Sequence, residues 1–172
     1  NGIQAMDLLG RKLGLKKGAV FMNLLQEMQN TIEQAKAHDA LKELHPKLGN
    51  AVTRLGEIAM HIGQTAMSPD FKTAFGFAQP FQDVMGDVIM AWMHLWRAVL
   101  AVPKLNDLVG GLTGPSREKK IGKNKEAAFY DGQVQTATYF INAVLPVTMG
   151  KMDAIAATDN SVVSIHETSF GG

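Results

Sequence analysis

The sequence contains no cysteine among its 172 residues, and this absence excludes several kinds of chemistry. Without thiols the chain cannot form disulfides, use a thiolate nucleophile or bind zinc through sulfur. The lack of cysteine also fits a reducing compartment, and we expect the protein to be cytoplasmic. The formal net charge of +1 gives no excess of cations that would favour nucleic acid as a partner.

Long uninterrupted apolar runs are also missing. The longest apolar stretch, residues 84–102, is broken by Asp87, His94 and Arg97, whereas a helix that spans a bilayer is normally free of such groups. What the chain does have is a globular composition, with 46% hydrophobic and 19% charged residues. Its length suits one domain with a substantial core, and its ten methionines suit packed helices.

Apolar residues recur at helical spacing along most of the chain. Breaks rich in glycine or proline separate the periodic segments, because neither residue continues a helix easily. We predict helices over residues 1–13, 18–38, 46–67, 71–102 and about 126–158, with Pro103 ending the fourth.

Glycines and prolines refine these helices. Gly49, Gly56 and Gly63 are seven residues apart, and each costs about 1 kcal/mol relative to alanine inside a helix. Their shared line therefore predicts a close helix crossing. Pro80 predicts either a kink or the true start of the fourth helix, and Pro146 predicts a bend in the last one, because it removes a backbone hydrogen bond.

The connecting segment and the tail lack helical periodicity. Residues 104–125 contain a Gly-Pro turn sequence and then, from residue 116, five basic residues with one acid, which predicts a mobile, solvated segment. Residues 162–165 have a short β-like pattern. The whole chain is predicted to be all-α: an up-and-down four-helix bundle with an additional N-terminal helix and an extended C-terminal tail.

A helical bundle can hold a di-iron site when Glu-x-x-His pairs come from two helices and a further Glu from each of two others. The nearest match, Glu57 to His61, has a spacing of four and occurs once. Asp83, Asp87 and His94 share a helix face without a matching set elsewhere. We therefore predict no metal site, and interpret these residues as ion pairs and polar contacts between helices.

Motifs for nucleophilic catalysis and phosphate binding are absent as well. There is no Gly-x-Ser-x-Gly turn around a nucleophile. The glycines of residues 110–114 are not followed by Lys-Ser/Thr and follow no strand pattern, as a phosphate-binding loop would require. His166, in the tail, is predicted to be solvated. The sequence thus predicts no catalytic residue within this chain.

Two surface features have more than one interpretation. The basic run of residues 117–125 could attract anionic lipid head groups or the phosphates of coenzyme A, but a solvated loop between helices needs no ligand. It lacks the interleaved aromatics that favour single-stranded nucleic acid. Trp92 and Trp96 are four residues apart on one helix face, and they could pack in the core or anchor an interface.

Several stretches resemble one family, the acyl-CoA dehydrogenases. Residues 1–4, which begin with Asn1 and Gly2, match the second half of the Glu-Gly-Thr-x-x-Ile-Gln stretch near the end of that family's catalytic body. Residues 7–12 resemble the helix that follows in a subgroup with an extra C-terminal bundle, similar to 3-methylmercaptopropionyl-CoA dehydrogenase. Helices of that bundle resemble residues 78–92, 125–130 and 144–146.

The resemblance implies a division of the chain. Residues 1–14 would end the catalytic part of a parent enzyme, and residues 15–172 would be its accessory bundle. The family oxidises acyl-CoA thioesters with FAD, and its catalytic Glu would lie just upstream of Asn1. By resemblance, Asn1 and Gly2 would lie at the flavin nucleotide, although many members have a longer polar residue in place of Gly2.

The implied function is that of a non-catalytic domain which supports assembly of an FAD-dependent acyl-CoA dehydrogenase. Its implied partners are the catalytic domains of the parent enzyme and a second subunit in a homodimer. The full enzyme would pass electrons to an electron-transfer flavoprotein, and this chain alone is not expected to bind FAD. The alternative is an independent helical adaptor or a membrane-associated bundle without enzymatic activity.

Overall fold

The computed structural model describes residues 2–171, and within them every regular element is helical. This confirms the all-α prediction. The α-helices are α1 (Gly2–Asp7), α2 (Ala19–Ala35), α3 (His45–Ala66), α4 (Phe71–Gly76), α5 (Ala78–Val109), α6 (Gly114–Lys123), α7 (Lys125–Tyr139), α8 (Leu145–Ala157) and α9 (Ser161–Ser164). Two π-helical turns (Leu8–Lys12 and Phe140–Val144) and two 3-10 turns (Asp39–Leu41 and Glu167–Phe170) complete the described chain.

The helix α5 lies at the centre and contacts α1, α2, α3, α7 and α8. By length and composition it could span a membrane, since one window has a mean hydropathy of 1.3, but 44% of that window is buried inside the protein. A central core helix meets the same criterion. Pro80 lies in the first turn of α5, after a break at Phe77, so the prediction that Pro80 marks a helix start is confirmed.

A line of glycines lets α2 and α3 approach closely. β-carbons built on the three glycines of α3 would meet side chains of the facing segments at 4.0, 3.3 and 3.8 Å: Gly49 meets Ile32, Gly56 meets Leu25, and Gly63 meets Leu13. The seven-residue spacing keeps all three on one side of α3. The predicted close crossing is therefore confirmed, and it is tightest at Gly56.

The last predicted helix is two α-helices joined by a π-helical turn. The backbone N–H of Leu145 bonds to the carbonyl of Phe140, five residues earlier, and Pro146 then lies in the first turn of α8. Proline lacks the N–H that an α-helical interior would use. The wider turn therefore places Pro146 where the missing donor costs least.

Pro103 does not end α5, contrary to the prediction. The helix continues to Val109 and stops at Gly110, which has a left-handed φ of +62°. Pro103 itself is exposed, while Val102, Leu105 and Val109 are buried. Burial of these side chains offsets the roughly 3 kcal/mol that an interior proline costs.

The prediction of a loop between the fourth and the last helix is also partly wrong. Residues 114–123 form α6, in which Ile121 packs on a small cluster of Leu105, Val109 and Ala127. Pro115 lies in its first turn, where proline is favoured. The sequence interpretation missed Ile121 as an apolar anchor, because a single apolar residue has no periodicity.

The tail does not contain the predicted β-like element. Within the described residues, Ser161–Ser164 form the single helical turn α9, which contacts α4. Val162 lies 4.0 Å from the position of a β-carbon on Gly76, but the side chain stays largely exposed. A strand needs a partner to satisfy its backbone groups, and the helical packing around the tail offers none.

Candidate functional site

The described part of the chain begins with α1, at the predicted junction with a catalytic body. Gly2 is exposed and opens α1, and a β-carbon built on it would meet no atom within 4 Å. Neither of the two cavities described below includes Gly2. Asn1 lies outside the described residues. The predicted flavin contact at these two positions therefore stays a prediction.

Ion pairs and close packing hold α1 and the turn after it. Arg11 donates two hydrogen bonds to the Asp7 carboxylate, at 2.6 and 2.9 Å, and Lys12 Nζ lies 3.3 Å from the same group. The Arg11 hydrogen bonds, with help from Lys12, hold the pKa of Asp7 below its usual value. Gly10 lies so close to Phe75 that a β-carbon would come within 3.2 Å of the ring. The turn after α1 thus packs on α4, and α1 itself contacts α5.

Large apolar side chains are exposed on the elements that meet at this end of the protein. Ile3 and Met67 are 79% and 83% exposed, and three others are also exposed. We call this surface the junction face, and it consists of Ile3, Met6, Met67, Phe71 and Val162. Contiguous patches of exposed apolar residues mark sites of protein docking.

A polar cavity of about 420 Å³ lies beside the junction face. Its lining is rich in hydroxyl and amide groups: His61, Gln64, Thr65, Ser68, Asp70, Thr73, Thr158 and Asn160. His61 Nε2 makes a short hydrogen bond with Thr158 Oγ1, which joins α3 to the end of α8. Thr158 has a φ of +51°, an unusual backbone conformation for a β-branched residue. Sequence reasoning missed this contact because 97 residues separate the two partners.

The carboxylates and histidines considered for metal binding are divided among separate contacts. Glu57 pairs with Arg54 at 3.0 Å, Asp83 accepts a bond from Gln79 at 2.9 Å, and Asp87 accepts bonds from Thr148 and Lys151 at 2.9 and 3.1 Å. Asp87 thus makes the predicted contact between helices, α5 and α8, whereas the contacts of Glu57 and Asp83 lie within α3 and α5. Among residues 2–171, no group of three or more His, Asp or Glu is placed to hold a metal ion.

His94 packs at the π-helical turn. Its ring centroid lies 5.1 Å from that of Phe140, the first residue of the turn. Burial, and to a smaller extent the charge of Arg97, lower the pKa of His94 from its usual 6.5. The fold therefore favours the neutral imidazole, which suits packing against an aromatic ring.

The two tryptophans of α5 have different environments. Trp92 is half-buried, and its indole Nε1 donates a 2.7 Å hydrogen bond to Thr31 Oγ1 on α2. Trp96 is 44% exposed. One turn of helix thus separates a tryptophan that packs between helices from a surface tryptophan, and the interface interpretation of Trp96 stays a prediction.

A second, smaller cavity lies towards the C-terminal end of α5. Its volume is about 190 Å³, and its lining is mostly apolar and aromatic with two cations at the edge: Arg97, Leu100, Ala101, Lys104, Phe129, Tyr130 and Gln133. The Lys104 ammonium lies 5.3 Å from the centre of the Tyr130 ring, within the range of a cation–π contact.

These observations define an all-helical domain with an exposed apolar end at its first helix. A family model described as acetyl-CoA dehydrogenase C-terminal like matches residues 24–166, and the chain belongs to this family. Two butyryl-CoA dehydrogenases of Syntrophomonas wolfei subsp. wolfei are similar to it, at 27% identity over 171 residues and 24% over 172. Each alignment covers 99% of this chain and 26% of the relative, so the chain spans about a quarter of the length of the curated relatives it matches.

Proposed function

We propose that this chain is the non-catalytic C-terminal domain of a longer FAD-dependent acyl-CoA dehydrogenase, in which it supports assembly of the catalytic body. The observation that carries the proposal is the family match over residues 24–166, together with the similarity of nearly the whole chain to a quarter of each butyryl-CoA dehydrogenase. A match of this shape fits one domain of a larger enzyme. We extend the relatives' activity on acyl-CoA to the parent enzyme.

The proposal also covers the finer organisation of the chain. Residues 1–14 end the catalytic part, and residues 15–172 form the accessory domain of the subgroup similar to 3-methylmercaptopropionyl-CoA dehydrogenase. In this description the long helices form an up-and-down four-helix bundle. Direct contacts between helices that follow one another in the chain, α2 with α3, α3 with α5 and α5 with α8, support this arrangement.

The junction face is the proposed docking surface for the catalytic body. Ile3 and Met6 are exposed on α1, the helix that would continue from the catalytic part. The Asp7–Arg11 contact and the close packing of Gly10 on Phe75 would keep the docked parts in a fixed relation. Fixed geometry matters because small displacements at a reacting centre reduce the rate strongly.

In this proposal, FAD binding, the catalytic base and electron transfer all belong to the parent enzyme. FAD, which accepts the hydride when bound, is held by the catalytic domains. Asn1 and Gly2 lie beside the nucleotide part of FAD, and no atom lies within 4 Å of a β-carbon built on Gly2. The catalytic Glu lies upstream of Asn1. The full enzyme is a cytoplasmic homodimer that passes electrons to an electron-transfer flavoprotein.

The proposal is tested by expressing the parent-length enzyme with and without residues 15–172. We expect the shortened enzyme to form smaller oligomers, to lose flavin and to turn over butyryl-CoA more slowly, because its site is loosened rather than stripped of a catalytic group. The substitutions Ile3→Ser and Met6→Ser together should have the same effects in weaker form. Their matched control is Met90→Ser with Val147→Ser, which changes two exposed apolar residues outside the junction face. A shortened enzyme that stays assembled and active would favour the independent adaptor.

A further inference from the structure

Cations are concentrated around the C-terminal end of α5 and in α6. Residues 97–131 contain seven Lys or Arg against four Asp or Glu, whereas the rest of the chain contains ten against twelve. Among the described residues, the acid Asp131 is bound by Arg117 at 2.9 Å, and the lysines of α6 make no ion pair. The charge of these lysines is therefore available to a partner.

The geometry of α6 directs its lysines away from the protein. Arg117 and Ile121 lie one turn apart and both contact the bundle, Arg117 through Asp131 and Ile121 through the small apolar cluster. Because successive helical residues are rotated by about 100°, Lys119 and Lys123 lie on the opposite side of α6. Lys119, Lys120 and Lys123 are all exposed.

Exposed apolar side chains lie on the same stretch of α5 as Lys104 and on α7. Phe129, Leu100 and Trp96 are 58%, 53% and 44% exposed, and Phe129 and Leu100 line the cavity of about 190 Å³ with Lys104. Tyr130 links the two features, since it lines this cavity and also packs in the cluster that holds Ile121. We call this surface the basic face, and it consists of Leu100, Lys104, Phe129 and the lysines of α6.

We propose that the basic face binds the surface of an anionic lipid bilayer. Lysine ammonium groups are hydrated point charges that suit many non-directional phosphate contacts, and each contributes about 1 kcal/mol near an anionic membrane. Phe129 and Leu100 would enter the boundary between head groups and acyl chains, as apolar residues of interfacial helices do. Cations together with exposed apolar side chains are the combination by which proteins bind anionic membrane surfaces.

The proposal goes beyond the proposed function and does not rest on it. Lys104 lies 26 residues after Ala78, a rise of about 39 Å along α5. Phe71 of the junction face lies in α4, which directly precedes the start of α5 at Ala78. A domain docked on a catalytic body through this part of the junction face would therefore keep its basic face free for a membrane.

Flotation of the 172-residue chain with vesicles tests the proposal. We expect it to float with vesicles of equal parts phosphatidylcholine and phosphatidylglycerol and not with phosphatidylcholine alone. Binding should weaken as the salt concentration rises from about 0.1 M to about 0.5 M, because screening shortens the reach of the charges. Tryptophan fluorescence should shift to the blue on binding, and Trp96→Phe should remove most of the shift.

Charge-matched variants locate the contact. The substitutions Lys119→Glu, Lys120→Glu and Lys123→Glu together should lower the partition coefficient at least about tenfold, given the contribution of each base. The control changes three exposed lysines elsewhere by the same net charge: Lys16→Glu, Lys17→Glu and Lys72→Glu. Phe129→Ser should also weaken binding, whereas Val147→Ser should not. Circular dichroism checks that each variant stays helical.

Three outcomes would overturn the proposal. The first is equal binding by the two lysine variants, which would make the effect one of net charge only. The second is equal flotation with neutral and anionic vesicles. The third is no vesicle binding together with strong retention on immobilised polyglutamate, which would indicate an acidic protein as the partner of the basic face.

Discussion

Trp92 of α5 donates a hydrogen bond of 2.7 Å from its indole N–H to the hydroxyl of Thr31 on α2, 61 residues earlier in the chain. Thr31 is only 6% exposed, and its own hydroxyl proton goes to the carbonyl of Glu27 at 3.2 Å. The hydroxyl therefore accepts and donates at once. This pair joins two helices through a polar contact in an otherwise apolar region.

Replacing Thr31 by valine keeps the shape of the side chain and removes the acceptor for Trp92. We expect Thr31→Val to lower the free energy of unfolding by about 1 kcal/mol, because the N–H of the half-buried Trp92 loses its hydrogen-bond acceptor. Urea denaturation followed by tryptophan fluorescence measures the change. The control is Thr53→Val, since Thr53 is exposed and bonds only to the carbonyl of Gly49. Equal losses in the two variants would refute a special role for the Trp92 contact.

Gly86 and Gly56 should respond differently to substitution by alanine. Gly86 lies in α5 with no atom within 4 Å of a built β-carbon, whereas the β-carbon at Gly56 would lie 3.3 Å from Leu25. Gly86→Ala should raise the free energy of unfolding by about 0.5–1 kcal/mol, the usual gain inside a helix. Gly56→Ala should gain less or lose stability, because Leu25 has to move. Thermal unfolding of both variants would contradict the prediction if Gly56→Ala were the more stable.

His94 should make the protein less stable in mild acid. The folded-state pKa of His94 lies below its usual 6.5, so the unfolded chain takes up the proton first as the pH falls. The stability contributed by neutral His94 is complete above pH 6.5 and is lost as the pH drops towards the folded-state pKa.

The measurement is the melting temperature on either side of this window. We compare the melting temperature at about pH 7.5 and about pH 5, which bracket the ordinary histidine titration. Over this interval the melting temperature of His94→Gln should fall less than that of the wild type. The control is His166→Gln, which changes an exposed histidine of the tail. An unchanged pH dependence in His94→Gln would show that another group is responsible.

The Arg117–Asp131 contact should hold α6 in place locally. Asp131→Asn removes a partly exposed ion pair of 2.9 Å, and such pairs contribute about 1 kcal/mol or less. We expect faster amide hydrogen exchange in residues 117–123 with little change in global unfolding, because α6 is a small unit with no buried residue. Glu118→Gln, which changes an acid of α6 without an ion pair in the described chain, should leave exchange unchanged. The same hydrogen-exchange measurement on the wild type tests the mobility that the sequence predicts for residues 116–125.

Much of the helical framework could be predicted from the sequence. The prediction of residues 46–67 agrees with α3 (His45–Ala66), and that of residues 18–38 agrees with α2 (Ala19–Ala35). These helices have strong periodicity and clear breaks at both ends. The glycines of α3 could also be interpreted correctly, because a residue that weakens a helix needs a packing reason.

The errors fall where a single residue decides the outcome. Pro103 was expected to end a helix, and Ile121 was not recognised as an anchor for α6. In both cases the deciding factor is burial against distant residues, such as Val109 for Ile121. Local propensities of one to three kcal/mol are smaller than the combined effect of several buried side chains.

The sequence by itself determined the all-helical class and the order of the long helices, since these depend on periodicity and on backbone chemistry within a few residues. Only the tertiary structure decided which tryptophan packs between helices and which hydroxyl accepts the hydrogen bond of Trp92. It also decided that His61 bonds to Thr158, 97 residues later in the chain. Such contacts depend on the rotation of one helix against another. A shift of one residue turns a helical side chain by about 100°, and no local pattern specifies that angle.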